Sequence, residues 1–71
     1  MKNISIRNQL KGKIEDIVHG RVVSEVVVNT KAGTLASVIT TRSVRDMKLK
    51  KGDRVLVLVK ATEASIQKQK T

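Results

Sequence analysis

From Val55 to Val59 the chain reads VLVLV, apolar at every position. In an extended segment Val55, Val57 and Val59 project to one side and Leu56 and Leu58 to the other, so this strand carries two apolar faces rather than one. "EVVVN" at 25–29 repeats the pattern more weakly. Valine dominates the apolar set, and β-branched side chains favour strands over helices. The alternation predicts strands at about 4–8, 11–18, 21–29, 34–40 and 54–61, with a short final strand near 63–67. "HGR" at 19–21 and "TKAGT" at 30–34 supply the glycines that antiparallel reversals need.

One stretch departs from period two. In "TTRSVRDMKLKKGD", 40–53, Val44 and Met47 stand three apart, Thr41 or Ser43 can cap a helix start, and Lys48, Lys50 and Lys51 suit a helix C-terminus. Gly52 is expected to end the element. Strands in this order with one helix before the last long strand predict an all-β fold: an OB-like small antiparallel β-barrel of about five strands with one short α-helix near 41–48, which plugs an open end. Residues 1–66 form a single domain in this reading, and the polar tail 67–71 is expected to be disordered.

Length sharpens the picture. Seventy-one residues bury a limited core. With no cysteine and a single histidine, neither disulfides nor a structural zinc site can supplement it. A barrel covers only one face of the VLVLV strand, so the second face is expected to pack on another copy, giving a homo-oligomer. The amino terminus lacks a signal-like apolar run and no segment is long enough to span a bilayer, so a cytoplasmic chain with no membrane association is expected.

Charge then narrows the partners. Fifteen Lys and Arg against six Asp and Glu give +9, so anions are attracted. Phe, Tyr and Trp are all absent. Single-stranded nucleic-acid binders of the small-barrel type draw about 1–3 kcal/mol per base from aromatic stacking, which this chain cannot supply. Phosphate-only contact with nucleic acid stays open as an alternative, salt-sensitive and nearly blind to sequence.

Catalysis finds little to work with. His19 sits alone beside Gly20 in an expected turn, Glu15 and Asp16 are neighbours that an ordinary strand turns to opposite sides, and no phosphate loop, dinucleotide turn or metal spacing occurs. The expected protein is not an enzyme. Oxyanion binding is better supplied. Ser5 and Arg7, two apart, put a hydroxyl beside a forked guanidinium on one face, and Lys60 is followed by Ala61 and Thr62, where the backbone leaves regular pairing and can aim N–H groups at a ligand.

"SIRNQLKGK", the helix segment ending in "LKKGD", and "VKAT" together resemble the molbindin family, the small Mop proteins that bind molybdate, and the related TOBE domains. The resemblance runs from Ser5 to about Thr62. It implies an OB-like barrel assembled as a hexamer, a trimer of dimers, with molybdate or tungstate held between subunits and stored without chemical change or organic cofactor. Carried over, Ser5 and Arg7 come from one subunit and Lys60, Ala61 and Thr62 from its neighbour, with Thr40 as a further polar position. Ile6 stands where family members usually have alanine, and Ala64 and Ser65 where valine and methionine are common. A ligand-free assembly or regulatory module is the remaining alternative.

Overall fold

The computed structural model describes residues 4–69. Residues 1–3 of the expected domain and 70–71 of the expected tail lie outside the described residues. Four strands, β1 (Asn8–Val18), β2 (Val23–Thr30), β3 (Gly33–Thr40) and β4 (Arg54–Val59), form one antiparallel sheet in the order β3-β2-β1-β4. The sheet curls into a half-barrel, and one short helix, α1 (Thr41–Asp46), lies between β3 and β4. The OB-like all-β class holds, with four strands in place of about five.

The difference in strand count follows from where pairing begins and ends. β1 runs unbroken from Asn8 because its first six residues pair with β4, from Asn8↔Val59 to Lys13↔Arg54, and pairing with β2 begins at Gly12↔Thr30. Ladder bonds therefore bridge the expected gap at 9–10, while residues 4–7 stay outside the sheet. At the other end the strand expected to reach residue 61 stops at Val59, and Ala61–Glu63 wind into a single 3₁₀ turn. The final strand expected near 63–67 is absent: residues 64–69 have no regular secondary structure.

A bulge sets the inner face of β1. Ile14 pairs with Val28 and Asp16 with Val27, so Glu15 is an extra residue. Ile14 and Ile17 are three apart, and plain alternation would turn them to opposite faces. The extra residue brings both inward, Ile17 opposite Val26, while the Asp16 carboxylate accepts the Ile17 N–H at 2.9 Å. Glu15 and Asp16 are both exposed.

The core is small and aliphatic. Ile14, Val26, Val28 and Val44 are buried, with Ile17, Ile39, Leu49, Val55 and Val57 packed around them. Val55 and Val57 thus share one face, as alternation requires, and it is the inner one. Gly12 lets β1 approach β2: a Cβ there would stand 2.5 Å from Val28 Cγ1 and 2.7 Å from the Asn29 carbonyl. The outer face is uncovered, with Val18, Val23, Val38 and Leu58 all exposed.

α1 starts at Thr41 as expected, but its cap is Thr40 rather than Thr41 or Ser43. Thr40 is the N-cap, its hydroxyl accepting the Ser43 N–H at 3.0 Å, because Thr41 has another use. The Thr41 hydroxyl donates to the Gly20 carbonyl at 2.8 Å and so accepts from the buried Ser24 hydroxyl at 2.7 Å; Ser24 Oγ in turn takes the Gly20 N–H at 3.3 Å. This closed ring pins the β1–β2 loop to the helix start and satisfies Ser24.

The helix also stops without Gly52. Lys48 adopts φ 53° and donates its N–H to the Arg45 carbonyl, and Leu49 N–H reaches the Val44 carbonyl, both at 3.0 Å. This is a Schellman closure with lysine where glycine is usual, and it seats Leu49 against the core. Gly52, at φ 92°, serves the next turn instead. Its N–H donates to the Ile14 carbonyl at 2.8 Å, and Ile14 N–H donates to Asp53 O at 2.9 Å.

Candidate functional site

The ladder between β1 and β4 ends at Asn8↔Val59, so the residues before Asn8 and after Val59 leave the sheet side by side. Between them lies a half-open hollow of about 150 Å³ bordered by Ser5, Ile6, Arg7, Lys60, Ala61 and Thr62. Five of the six residues singled out from the sequence therefore meet at one place. Residues expected to come from two different subunits border one hollow of a single chain, because antiparallel pairing brings the two chain ends together.

Two amides hold that geometry. Asn8 Nδ2 donates to the Val59 carbonyl at 3.1 Å, fastening the end of the ladder. Gln9 Nε2 donates to the Ile6 carbonyl at 2.8 Å, and this bond restrains the segment that carries Ser5 and Arg7 even though no strand holds it. Sequence reasoning passed over both as positioning residues. Their signal was a pair of adjacent amides at the junction between the donor-bearing segment and the ladder.

On the opposite wall, Lys60 has extended dihedrals, φ −65° and ψ 140°, and its carbonyl accepts the Glu63 N–H at 2.8 Å. Ala64 N–H reaches the Ala61 carbonyl at 3.3 Å. The first N–H groups of such a turn have no acceptor within it, so those of Ala61 and Thr62 remain available. Among the described residues the one ion pair joins Lys50 to Asp53, so neither Arg7 nor Lys60 is neutralised by a carboxylate. The hollow offers a guanidinium, an ammonium, two hydroxyls and backbone N–H groups to an anion.

Thr40 lies apart. It is not among the residues bordering the hollow, and its hydroxyl is spent on Ser43, accepting from the N–H and donating to Oγ at 2.8 Å. His19 is exposed between β1 and β2. Among the described residues no group of three or more His, Cys, Asp or Glu side chains could hold a metal ion, and no helix is long and apolar enough to cross a membrane.

The curled antiparallel sheet, the single helix after β3 and the hollow between the chain ends define a small OB-like module of the ligand-binding kind. The TOBE-domain family model matches residues 4–66, and the chain belongs to that family, which includes the molbindins. Molybdenum-pterin-binding protein 2 from Clostridium pasteurianum is 38% identical over 65 residues, spanning 90% of this chain and 96% of that protein. The structure of a molybdate-binding protein from Sporomusa ovata superposes with a TM-score of 0.89 at 42% identity, covering 93% of this chain and 98% of the other. The cytoplasmic molybdate-binding protein ModG, with molybdate bound, matches at TM-score 0.78 and 38% identity over 83% of this chain and 43% of its own.

Proposed function

We propose that this chain binds molybdate or tungstate reversibly in the hollow between its ends and stores it without catalysis. Ser5 and Arg7 supply a hydroxyl and a guanidinium, Lys60 an ammonium, and Ala61 and Thr62 backbone N–H groups, with a contribution from the Thr62 hydroxyl. The convergence of these residues on one hollow of about 150 Å³ carries the reading. A tetrahedral dianion needs donors from several directions and cations to offset its lost hydration, and this set provides both. A relative named as a molybdenum-pterin-binding protein and a solved molybdate-binding protein, matching 90% and 93% of this chain, support a molybdenum-containing ligand.

The working form is a homo-oligomer, a hexamer built as a trimer of dimers, in the cytoplasm. Exposed Val18, Val23, Val38 and Leu58 on the outer face support assembly, and exchange of the chain ends between copies reproduces the hollow with its walls drawn from neighbours. Thr40 is the further polar residue that a neighbouring copy brings near the anion. Residues 1–66 act as the domain and 67–71 as a polar tail.

Equilibrium dialysis against molybdate, with sulfate as competitor, tests the ligand: saturation at micromolar anion is expected, and its absence defeats the proposal. Arg7→Ala and Lys60→Ala should each weaken binding by about 2–5 kcal/mol, the usual cost of truncating one partner of an enclosed charge pair. Mixing the two variants tests the assembly. Sites shared between chains regain wild-type binding in a fraction of mixed oligomers, whereas sites confined to one chain regain none.

A further inference from the structure

A second hollow lies farther along the same two strands. It is larger, about 640 Å³, and is bordered by Lys11, Lys13, Lys31, Asn29, Arg54 and Leu56 among others. Register explains the gathering. Asn29, Lys13 and Arg54 stand opposite one another across β2, β1 and β4, so their side chains share the outer face. Lys11, two residues earlier in β1, shares that face, and Lys31 follows Thr30 in the turn. No residue bordering the hollow is acidic, and none of its four cations takes part in the one ion pair of the described residues.

We infer that this hollow is a second anion site, for a linear chain of phosphates, formed by Lys11, Lys13, Lys31 and Arg54 with the Asn29 amide. Three strands side by side span about 10 Å, and residues two apart along a strand about 7 Å, so the four charges form a compact array. A chain of two or three phosphoryl groups concentrates several negative charges over a comparable length. A single tetrahedral anion would engage only part of the array. The Asn29 side chain makes no hydrogen bond among those of the described residues and is free to donate. The Thr30 hydroxyl is occupied, donating to the Gly33 carbonyl and accepting from Ala32 N–H. Leu56 gives the rim an apolar edge without an aromatic platform, which suits a phosphate chain better than stacked bases.

The same chemistry occurs in inorganic polyphosphate and in nucleoside triphosphates. Calorimetric titration of the full chain at low ionic strength with tripolyphosphate, ATP and orthophosphate separates them. Tripolyphosphate should saturate at least about tenfold more tightly than orthophosphate, with a steep loss of affinity as salt rises. Equal affinity for ATP identifies the phosphate chain itself as the determinant, and markedly tighter ATP binding assigns the site to the nucleotide. Lys13→Gln and Arg54→Gln, both exposed, should each weaken tripolyphosphate by about fivefold or more while circular dichroism and molybdate binding stay unchanged. Arg7→Ala should leave tripolyphosphate affinity within about twofold, since it borders the other hollow. Tripolyphosphate binding no tighter than orthophosphate overturns the inference. So does loss on Arg7→Ala in place of Lys13→Gln, or displacement of tripolyphosphate by random duplex DNA at a lower phosphate concentration.

Discussion

The two ends of the β1–β4 ladder are built by different means. Beyond Lys13↔Arg54 the chain closes on itself through backbone groups: Ile14 exchanges hydrogen bonds with Gly52 and Asp53, and the buried Ile14 side chain packs with Val44 and Leu49 in the core cluster. Beyond Asn8↔Val59 the backbone ladder stops, and the two side-chain amides of Asn8 and Gln9 take over. Residues there stay largely exposed, and Ile66 is 96% exposed. The contrast teaches a division of labour. One end is finished within the chain by burial, and the other keeps its cations and N–H groups for a partner or ligand.

Substitutions at each end test this division. The largest effect belongs to the closed end, where Ile14→Ala should destabilise the fold by about 2–5 kcal/mol in denaturant melts, since it empties the centre of a core with only four buried apolar side chains among the described residues. Gln9→Ala should act the other way round. Losing the hold on the Ile6 carbonyl should weaken molybdate by about 0.5–1.5 kcal/mol in dialysis, with a smaller change in the melting midpoint. An equal loss of stability would mean that the open end is as structural as the closed one.

Lys48→Gly should stabilise the closed end by about 0.5–1 kcal/mol, because glycine relieves the left-handed backbone strain while keeping the two closing hydrogen bonds. A thermal melt that moves down would contradict that account of the helix stop. The smallest effect is acid dependence. Asp53 accepts the Lys50 N–H and pairs with its ammonium at 3.1 Å, which holds its carboxyl below the usual 3.8. A depressed carboxylate contributes stability above its unfolded value, and that contribution fades as pH falls through the lower folded value. Asp53→Asn should therefore differ from the parent at neutral pH and converge with it in acid, as read by melts over a pH series.

Much of this was legible in the sequence, for reasons that can be named. Alternation in VLVLV identified β4 and put Val55 and Val57 on one face, though not which face was inward, and the glycines at 20 and 33 flagged both hairpins. Ser5, Arg7, Lys60, Ala61 and Thr62 were separable by spacing and resemblance before their meeting place was known. What escaped the reading depends on long-range pairing. Nothing local to residues 9–10 says that β4 will bridge them, and the competition for Thr41 by Ser24 and Gly20, which moves the cap to Thr40, involves residues about twenty positions apart. Lys48 escaped because its left-handed turn is enforced by Leu49 finding the core, not by a residue type that prefers it.

The extra residue at Glu15 behaves as a phase shifter in β1. If Glu15 were drawn into plain alternation, every side chain from Asp16 to Val18 would rotate to the opposite face, carrying a carboxylate into the aliphatic interior and Ile17 out to water, whereas deleting Glu15 would leave Ile14 and Ile17 two apart and both inward. A related chain with a one-residue gap at this position should therefore keep the inward and outward order of β1 and lose only the bulge and its added twist.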